Sequence, residues 1–250
     1  MINGKKVLAV VLARAGSKGI PMKNVRDLLG KPLFLWSVEA GLQSKYVDKT
    51  VISSNCKNVF KEYENFYMNG GVETREIFNS GRISFIDRPD EISGDLSKNE
   101  DAVIHTLQTL KENYDVVIQL QPTSPARINN LLDRCIEAYE EGNYDSLLTA
   151  TKDTPFLWRK EDGKWKYPVD KNHCCNRKMR QEFDEDEFVY HDCGNIYIVD
   201  KFVLMTTQCR IGDKPCVFEI KGINSLQIDE EFDFELIEQM AKVKGLTTLI

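Results

Sequence analysis

No stretch of this 250-residue chain approaches eighteen consecutive apolar residues, so a bilayer-spanning helix is not expected. An excess of basic residues is also missing. Lys and Arg total 33 against 39 Asp and Glu, a formal net charge of -6. Sequence-independent binding of nucleic acid usually needs a basic face, so that class is disfavoured. A small anionic ligand remains open, because a local basic pocket can sit on an acidic protein. There is no CxxC pair among the seven cysteines, and Cys174-Cys175 are adjacent, which is not the spacing of a zinc knuckle. We therefore expect free thiols, mostly buried as small hydrophobes, in a reducing cytoplasmic compartment. Met1 to Gly4 leads into two lysines and a short apolar strand, which we read as no secretory leader. Repeats and low-complexity linkers are absent, and one domain over residues 1–250 is expected.

What is present is ordinary globular composition, 42% apolar and 29% charged, in a chain long enough to bury a core without disulfides. Five near-continuous apolar runs stand out: Val7 to Leu12, Thr50 to Ser54, Ile83 to Ile86, Asp115 to Leu120 and Ser146 to Ala150. Runs of this kind suggest strands covered on both faces. Amphipathic stretches separate them. In Pro32 to Ser44, Leu33, Trp36 and Ala40 share a face. In Lys98 to Glu112, Val103, Leu107 and Leu110 do. In Ile128 to Glu141, Leu131, Leu132, Cys135, Ile136 and Tyr139 do. A last helix is expected from about Asp229 to Lys244, with Phe232, Leu236, Met240 and Val243 on one face. The alternation predicts an α/β fold, a Rossmann-like, mostly parallel sheet flanked by helices. Ligands in such sheets bind beyond the carboxyl ends of the strands.

The stretch from Lys152 to about residue 193 breaks the alternation. It is polar and aromatic, and Glu161-Asp162-Gly163-Lys164 reads as a hairpin turn. A small antiparallel arm leaving the main sheet is expected there. "CGNIYIVD" and "PCVFEI" then resume strands.

Two loops carry candidate chemistry. The first strand runs into "ARAGSKGIPMKN". Two glycines let backbone N–H groups approach an anion, and Arg14, Lys18 and Lys23 add fixed charge. Such a loop could hold a triphosphate and stabilise a leaving pyrophosphate; read alone, it is equally a solvated turn. It is neither a P-loop nor a dinucleotide fingerprint. The second loop, "LQPTSPAR", ends a strand and stiffens two hydroxyls and an amide between Pro122 and Pro125. It suits a sugar or a base. It also suits a helix start, with Ser124 as cap and Pro125 in the first turn.

Together, "ARAGSKGIPMKN" and "LQPTSPAR", about a hundred residues apart, resemble the two signatures of the CMP-sugar-acid synthetases, the acylneuraminate cytidylyltransferase family. "IDEEFDFE" near the end is similar to that family's Ile-Asp-Thr-x-x-Asp-Leu/Phe segment. The resemblance covers nearly the whole chain and implies a nonulosonic-acid-activating member. Such an enzyme uses CTP and Mg²⁺, or another divalent cation, to join CMP to the anomeric hydroxyl of a 2-keto sugar acid, with release of pyrophosphate. It implies positioning and charge neutralisation in place of covalent catalysis.

Residue by residue, the resemblance implies a nucleotide site of Arg14, Ala15, Gly16, Ser17, Lys18, Lys23, Asn24, Arg88 and Asn99. It implies catalytic roles for Arg14, Lys23 and Asp229, with Asp229 on the metal. It implies sugar-acid contacts from Gln121, Thr123, Ser124, Arg180, Gln181 and His191. The arm of about 152–193 would mediate a homodimer, with Trp158, Trp165 and Tyr167 as interface aromatics or, alternatively, packed on the parent domain. Neither nucleic acid nor membrane is expected as a partner.

The chain also departs from the pattern. Gln227-Ile228-Asp229 stands where two acids usually flank the isoleucine, so one metal ligand is missing or replaced by an amide. Asp229 could equally be a helix cap. Ser53-Ser54-Asn55 replaces Ser-Thr-Asp, and the segment from Cys56 to Ile83 is longer than usual. Arg180-Gln181 suits sialic-acid-type members, whereas Tyr190-His191-Asp192 resembles members acting on pseudaminic acid. His191 reads as a sugar contact or a structural histidine. The run Asp184 to Glu187 reads as a solvated turn. The sugar acid stays open, as do two other readings: a nucleotidyltransferase for another NTP or sugar, and a non-catalytic nucleotide-binding regulator.

Overall fold

The computed structural model of the chain describes residues 1–16, 19–166 and 178–250. The first apolar run forms β1 (Val7–Leu12). A short antiparallel pair follows, β2 (Asp27–Leu28) with β3 (Lys31–Pro32). Then come α1 (Leu33–Gln43), β4 (Lys49–Ser54), α2 (Lys57–Tyr63), α3 (Val72–Asn79), β5 (Ile83–Asp87), α4 (Asn99–Thr109), β6 (Val116–Leu120), α5 (Leu131–Glu141) and β7 (Ser146–Asp153). After them lie β8 (Arg159–Glu161), β9 (Lys164–Lys166), β10 (Val189–Asp200), α6 (Lys201–Thr207), β11 (Pro215–Glu219) and α7 (Glu231–Val243).

Seven strands form one sheet in the order β11-β7-β10-β6-β1-β4-β5. β1 is parallel to β4 and β6, β4 to β5, and β11 to β7. Only β10 runs against its neighbours β6 and β7. It follows β7 through the arm and so re-enters at the end of the sheet where β7 left. The fold is Rossmann-like α/β, as the alternation predicts.

Double-sided burial explains the unalternated apolar runs. Val7, Ala9 and Val11 join one core with Phe34, Leu35 and Val38 of α1 and Leu132, Cys135 and Ile136 of α5. Leu8 and Val10 face the opposite layer, with Val103 of α4 and Leu204 of α6. The expected faces of α1 and α5 are buried throughout. The face of α7 is only partly the expected one: Met240 packs against the small core beneath the helix and Leu236 is half-buried. Phe232 and Val243 are exposed, and the helix buries Phe234, Ile237 and Ala241. Both stripes have helical spacing, and the third small core, with Ile20, Leu28 and Trp36, meets the second.

The arm is shorter than expected. Val189 pairs with Asp153 and His191 with Thr151, so Lys152 and residues 189–193 belong to the main sheet. Ladder bonds are backbone bonds and continue past the last apolar side chain. The hairpin at residues 161–164 is present as β8–β9, with positive φ at Asp162 (50°) and Gly163 (75°), the signature of a type I′ turn. Tyr167 and Cys174-Cys175 lie outside the described residues. Of the described cysteines, Cys56, Cys135 and Cys193 are buried and Cys209 is exposed, and all are free thiols. No described helix is long and apolar enough to cross a membrane.

Candidate functional site

The carboxyl ends of β1, β5 and β6 open onto one cavity of about 400 Å³. β1 delivers Arg14 and Gly16, and a short 3-10 turn delivers Lys23 and Asn24. β5 delivers Arg88, the start of α4 delivers Asn99, β6 delivers Gln121 and Thr123, and the segment before α7 delivers Asp229. Nine of the expected residues thus converge from six places in the chain.

Each cation is held in its own way. Arg14 donates through Nη1 to the Ser93 carbonyl at 3.3 Å and pairs with Asp95 at 2.9 Å. Lys23 is buried; its Nζ donates to the Ile228 carbonyl at 2.6 Å and lies 3.3 Å from Asp229 Oδ1. Arg88 is only 5% exposed, and its Nε and Nη2 meet no acceptor among the described residues. Burial, helped by the charge of Arg14, lowers its pKa to about 10, so it stays protonated at neutral pH. A buried cation without a partner is costly, and an anion delivered to the cavity would relieve that cost. Fold and pocket together define an α/β protein with a cavity at its strand ends lined by Arg14, Lys23 and Arg88.

The loops around the pocket are tied together. Asn24 lines it, but its amide donates to the Arg14 carbonyl at 2.9 Å. The Ala15 N–H is taken by Asn55 Oδ1, also at 2.9 Å, so it faces away from a ligand. The Ile228 N–H donates to the Thr123 carbonyl at 2.8 Å and brings the last acidic segment against the second loop. Gly19 is required where it stands, since a Cβ there would lie 2.7 Å from the Asp229 carbonyl oxygen. Ser17 and Lys18 lie outside the described residues.

Several expected sugar contacts are placed elsewhere. Ser124 is fully buried, and its hydroxyl donates to the Cys193 carbonyl at 3.4 Å. Arg180 and Gln181 sit in an exposed 3-10 turn of the arm and do not line the cavity. His191 is 52% exposed on β10, its Nε2 3.8 Å from Asp153 Oδ2. On one chain, none of these faces the cavity.

Asp229 is not the cap of α7. Glu230 holds that position, and the Asp233 carboxylate accepts from the backbone N–H groups of both Asp229 and Glu230. The Asp229 side chain turns to Lys23 instead. Gln227 donates its amide to the Cys193 carbonyl. That carbonyl sits at an irregularity in β10, next to Gly194, whose φ of 62° puts it in the left-handed region. A Cβ on Gly194 would lie 3.2 Å from Gln227 Nε2 and 3.4 Å from Gln121 Nε2. The described residues contain no cluster of three or more His, Cys, Asp or Glu suited to a metal. One carboxylate fits Mg²⁺ only where phosphate oxygens and waters complete the shell, which is how that ion commonly binds.

Two residues hold the first loop, Asn55 and Asp95. The sequence marks Asn55 only as a departure from the Ser-Thr-Asp pattern, without its role, and nothing in the local pattern marks Asp95; their partners are brought in by tertiary structure. A second cavity, about 680 Å³, lies beside the first and shares Arg88 with it; its walls include Phe60, Phe85 and Pro89.

Comparison with known proteins identifies the family. A family model described as Cytidylyltransferase matches residues 8–156. The chain belongs to the cytidylyltransferase family. It is 25% identical over 236 residues to an N-acylneuraminate cytidylyltransferase of Escherichia coli O18:K1:H7, a match covering 92% of this chain and 51% of that protein. It is 28% identical over 205 residues to a pseudaminic acid cytidylyltransferase of Campylobacter jejuni, covering 77% of each. The chain thus spans about half the length of the first of these relatives. Among solved structures, a CMP:2-keto-3-deoxy-manno-octonic acid synthetase complexed with CTP superposes with a TM-score of 0.64 at 14% identity, covering 96% of this chain and 99% of that one. A 4-diphosphocytidyl-2C-methyl-D-erythritol synthase from Anaerococcus prevotii gives 0.66, also at 14% identity, covering 96% and 98%. These structural likenesses concern the fold.

Proposed function

We propose that the chain transfers CMP from CTP to the anomeric hydroxyl of a sialic-acid-like 2-keto sugar acid, such as sialic, legionaminic or pseudaminic acid, and releases pyrophosphate. The carrying observation is the convergence on one cavity of an acidic protein of Arg14, Lys23 and Arg88, whose Nε and Nη2 have no partner among the described residues. Arg14 and Lys23 neutralise the triphosphate and the charge that builds on the departing pyrophosphate. Arg88 and Asn99 line the nucleotide side of the cavity, where a phosphate oxygen supplies the acceptor that the Arg88 guanidinium lacks among the described residues. Gln121 and Thr123 orient the acceptor, so that its hydroxyl reaches the α-phosphorus in line with the leaving group. Asp229 would hold a divalent cation, which supplies further neutralisation of the phosphates. Lys23 fixes that carboxylate from beneath. The same reading includes a cytoplasmic homodimer formed through the arm, where Trp158 and Trp165 are 53% and 66% exposed. A partner's arm is then the source of further acceptor contacts, and Arg180, Gln181 and His191 are the candidates.

The test is pyrophosphate release with Mg²⁺ across CTP, GTP, UTP and ATP, each with sialic, legionaminic, pseudaminic and eight-carbon Kdo-type acids. CTP with one nonulosonic acid should be preferred. Turnover with another nucleotide would reassign the base; CTP binding without turnover on any acceptor would favour a non-catalytic nucleotide-binding protein.

A further inference from the structure

Asn55 stands in the turn after β4, with both ends of its amide engaged. Oδ1 accepts from the Ala15 N–H at 2.9 Å, and Nδ2 donates to Asp90 Oδ1 at 2.8 Å. These partners fix which end is which, since a backbone N–H needs the oxygen and a carboxylate needs the nitrogen. Around this bridge, the backbone of residues 13–15 is laid against the end of β4. The Ala13 N–H donates to the Ser53 carbonyl at 3.1 Å, and Ser54 Oγ donates to the Ala13 carbonyl. The segment that carries Asp90 also holds Arg14, through the Ser93 carbonyl and Asp95. Gly16, one residue beyond Ala15, lines the anion pocket.

We propose that Asn55 is a positioning residue for the anion-binding loop. It clamps Ala15 and is itself clamped by Asp90, so Arg14 and Gly16 are set in place before a ligand arrives. Preorganisation of this kind lowers the ordering cost of binding. The functional consequence rests on reading the pocket as a nucleotide site; the bridge itself does not. The chemistry demands an amide at this position. A carboxylate could still accept from Ala15, but it would meet Asp90 as a like charge at hydrogen-bond distance. An amide at position 90 would remove that conflict and restore the bridge with its polarity reversed.

The experiment compares the unaltered protein with Asn55→Asp, Asp90→Ala and the double variant Asn55→Asp/Asp90→Asn. Two readouts are taken: hydrogen exchange at the Ala15 amide without ligand, and CTP affinity by calorimetry. Asn55→Asp should speed Ala15 exchange and weaken CTP binding by about tenfold, roughly one well-made hydrogen bond. The double variant should recover both to within about threefold. A merely structural asparagine would leave CTP affinity in the folded protein unchanged in Asn55→Asp, even where Ala15 exchange speeds up. Ala15 exchange unchanged in Asn55→Asp, or no recovery in the double variant, would overturn the proposal. If Asn55→Asp does not fold, Asp90→Ala decides: it should loosen Ala15 measurably, and unchanged exchange would count as refutation. Should the unaltered protein bind no CTP, the nucleotide reading fails, while the exchange data still settle the bridge.

Discussion

At the scale of single residues, similar side chains do opposite jobs. Arg14 sits at the pocket mouth, about one-third exposed, and its pair with Asp95 is partly solvated. Such pairs are worth about 0–1 kcal/mol, so Arg14→Ala should leave the unfolding midpoint nearly unchanged. Turnover should fall by about 10²–10³, the cost of removing one preorganised charge stabiliser. Kinetics and thermal melts on the same preparation check both halves. Arg127, six residues past Gln121, is instead 2% exposed and donates to the Ser37 hydroxyl at 3.0 Å and to the carbonyls of Gln121 and Asn195 at 3.0 and 2.9 Å. Burial pushes its pKa down to about 9. It pins the second loop to α1 and β10. Arg127→Ala should cost about 3–5 kcal/mol in urea unfolding, from the cavity and the three stranded acceptors. Arg127→Lys should not rescue it, because an ammonium lacks the planar fork. Both arginines belong to quoted motifs, and the motifs do not distinguish them. The difference lies in partners supplied by distant parts of the chain.

At the scale of elements, periodicity located strands and helices well, and contact decided the rest. α1 lies against β4 through Gly41, where a Cβ would fall 2.5 Å from Thr50 Oγ1 and 3.1 Å from Thr50 Cγ2. Gly41→Ala should therefore destabilise by about 1–3 kcal/mol despite its better helix propensity. Adding Thr50→Ala should recover part of that loss, and the non-additivity in a double-mutant cycle is the measurement. The stripe of α7 shows the limit of pattern reading. Phe232, Leu236 and Met240 have helical spacing, as do Phe234, Ile237 and Ala241. The choice between them was made by the small core beneath the helix. The arm shows the same limit from the other side, since β10 begins within a stretch whose side chains are polar.

At the scale of the whole molecule, charge and thiols give two checks. Burial alone would raise the Glu140 carboxyl, but hydrogen bonds from Lys5 at 2.8 Å and Asn3 at 3.1 Å outweigh it and hold the pKa below its usual 4.5. A carboxyl lowered by folding stabilises above its unfolded pKa and loses that contribution as the pH falls through the folded value. Stability should therefore decline below about pH 4.5, and Glu140→Gln should flatten part of the fall in thermal midpoint between about pH 5 and 3. The Cys135 thiol, pushed up by burial, should resist alkylation in the folded protein, while Cys209 reacts; mass mapping after a timed pulse decides it. The sequence by itself determined the layered architecture, because strand and helix periods and double-sided burial are written into local apolar patterns. It also determined the presence of a cationic loop at a strand end. Only the tertiary structure decided which cations face the cavity, that Ser124 is spent inside the protein, that Gln227 serves the Cys193 carbonyl, and that Asn55 and Asp95 hold the loop. Those outcomes depend on contacts between residues tens to hundreds of positions apart, and no local pattern encodes the partner that burial will select.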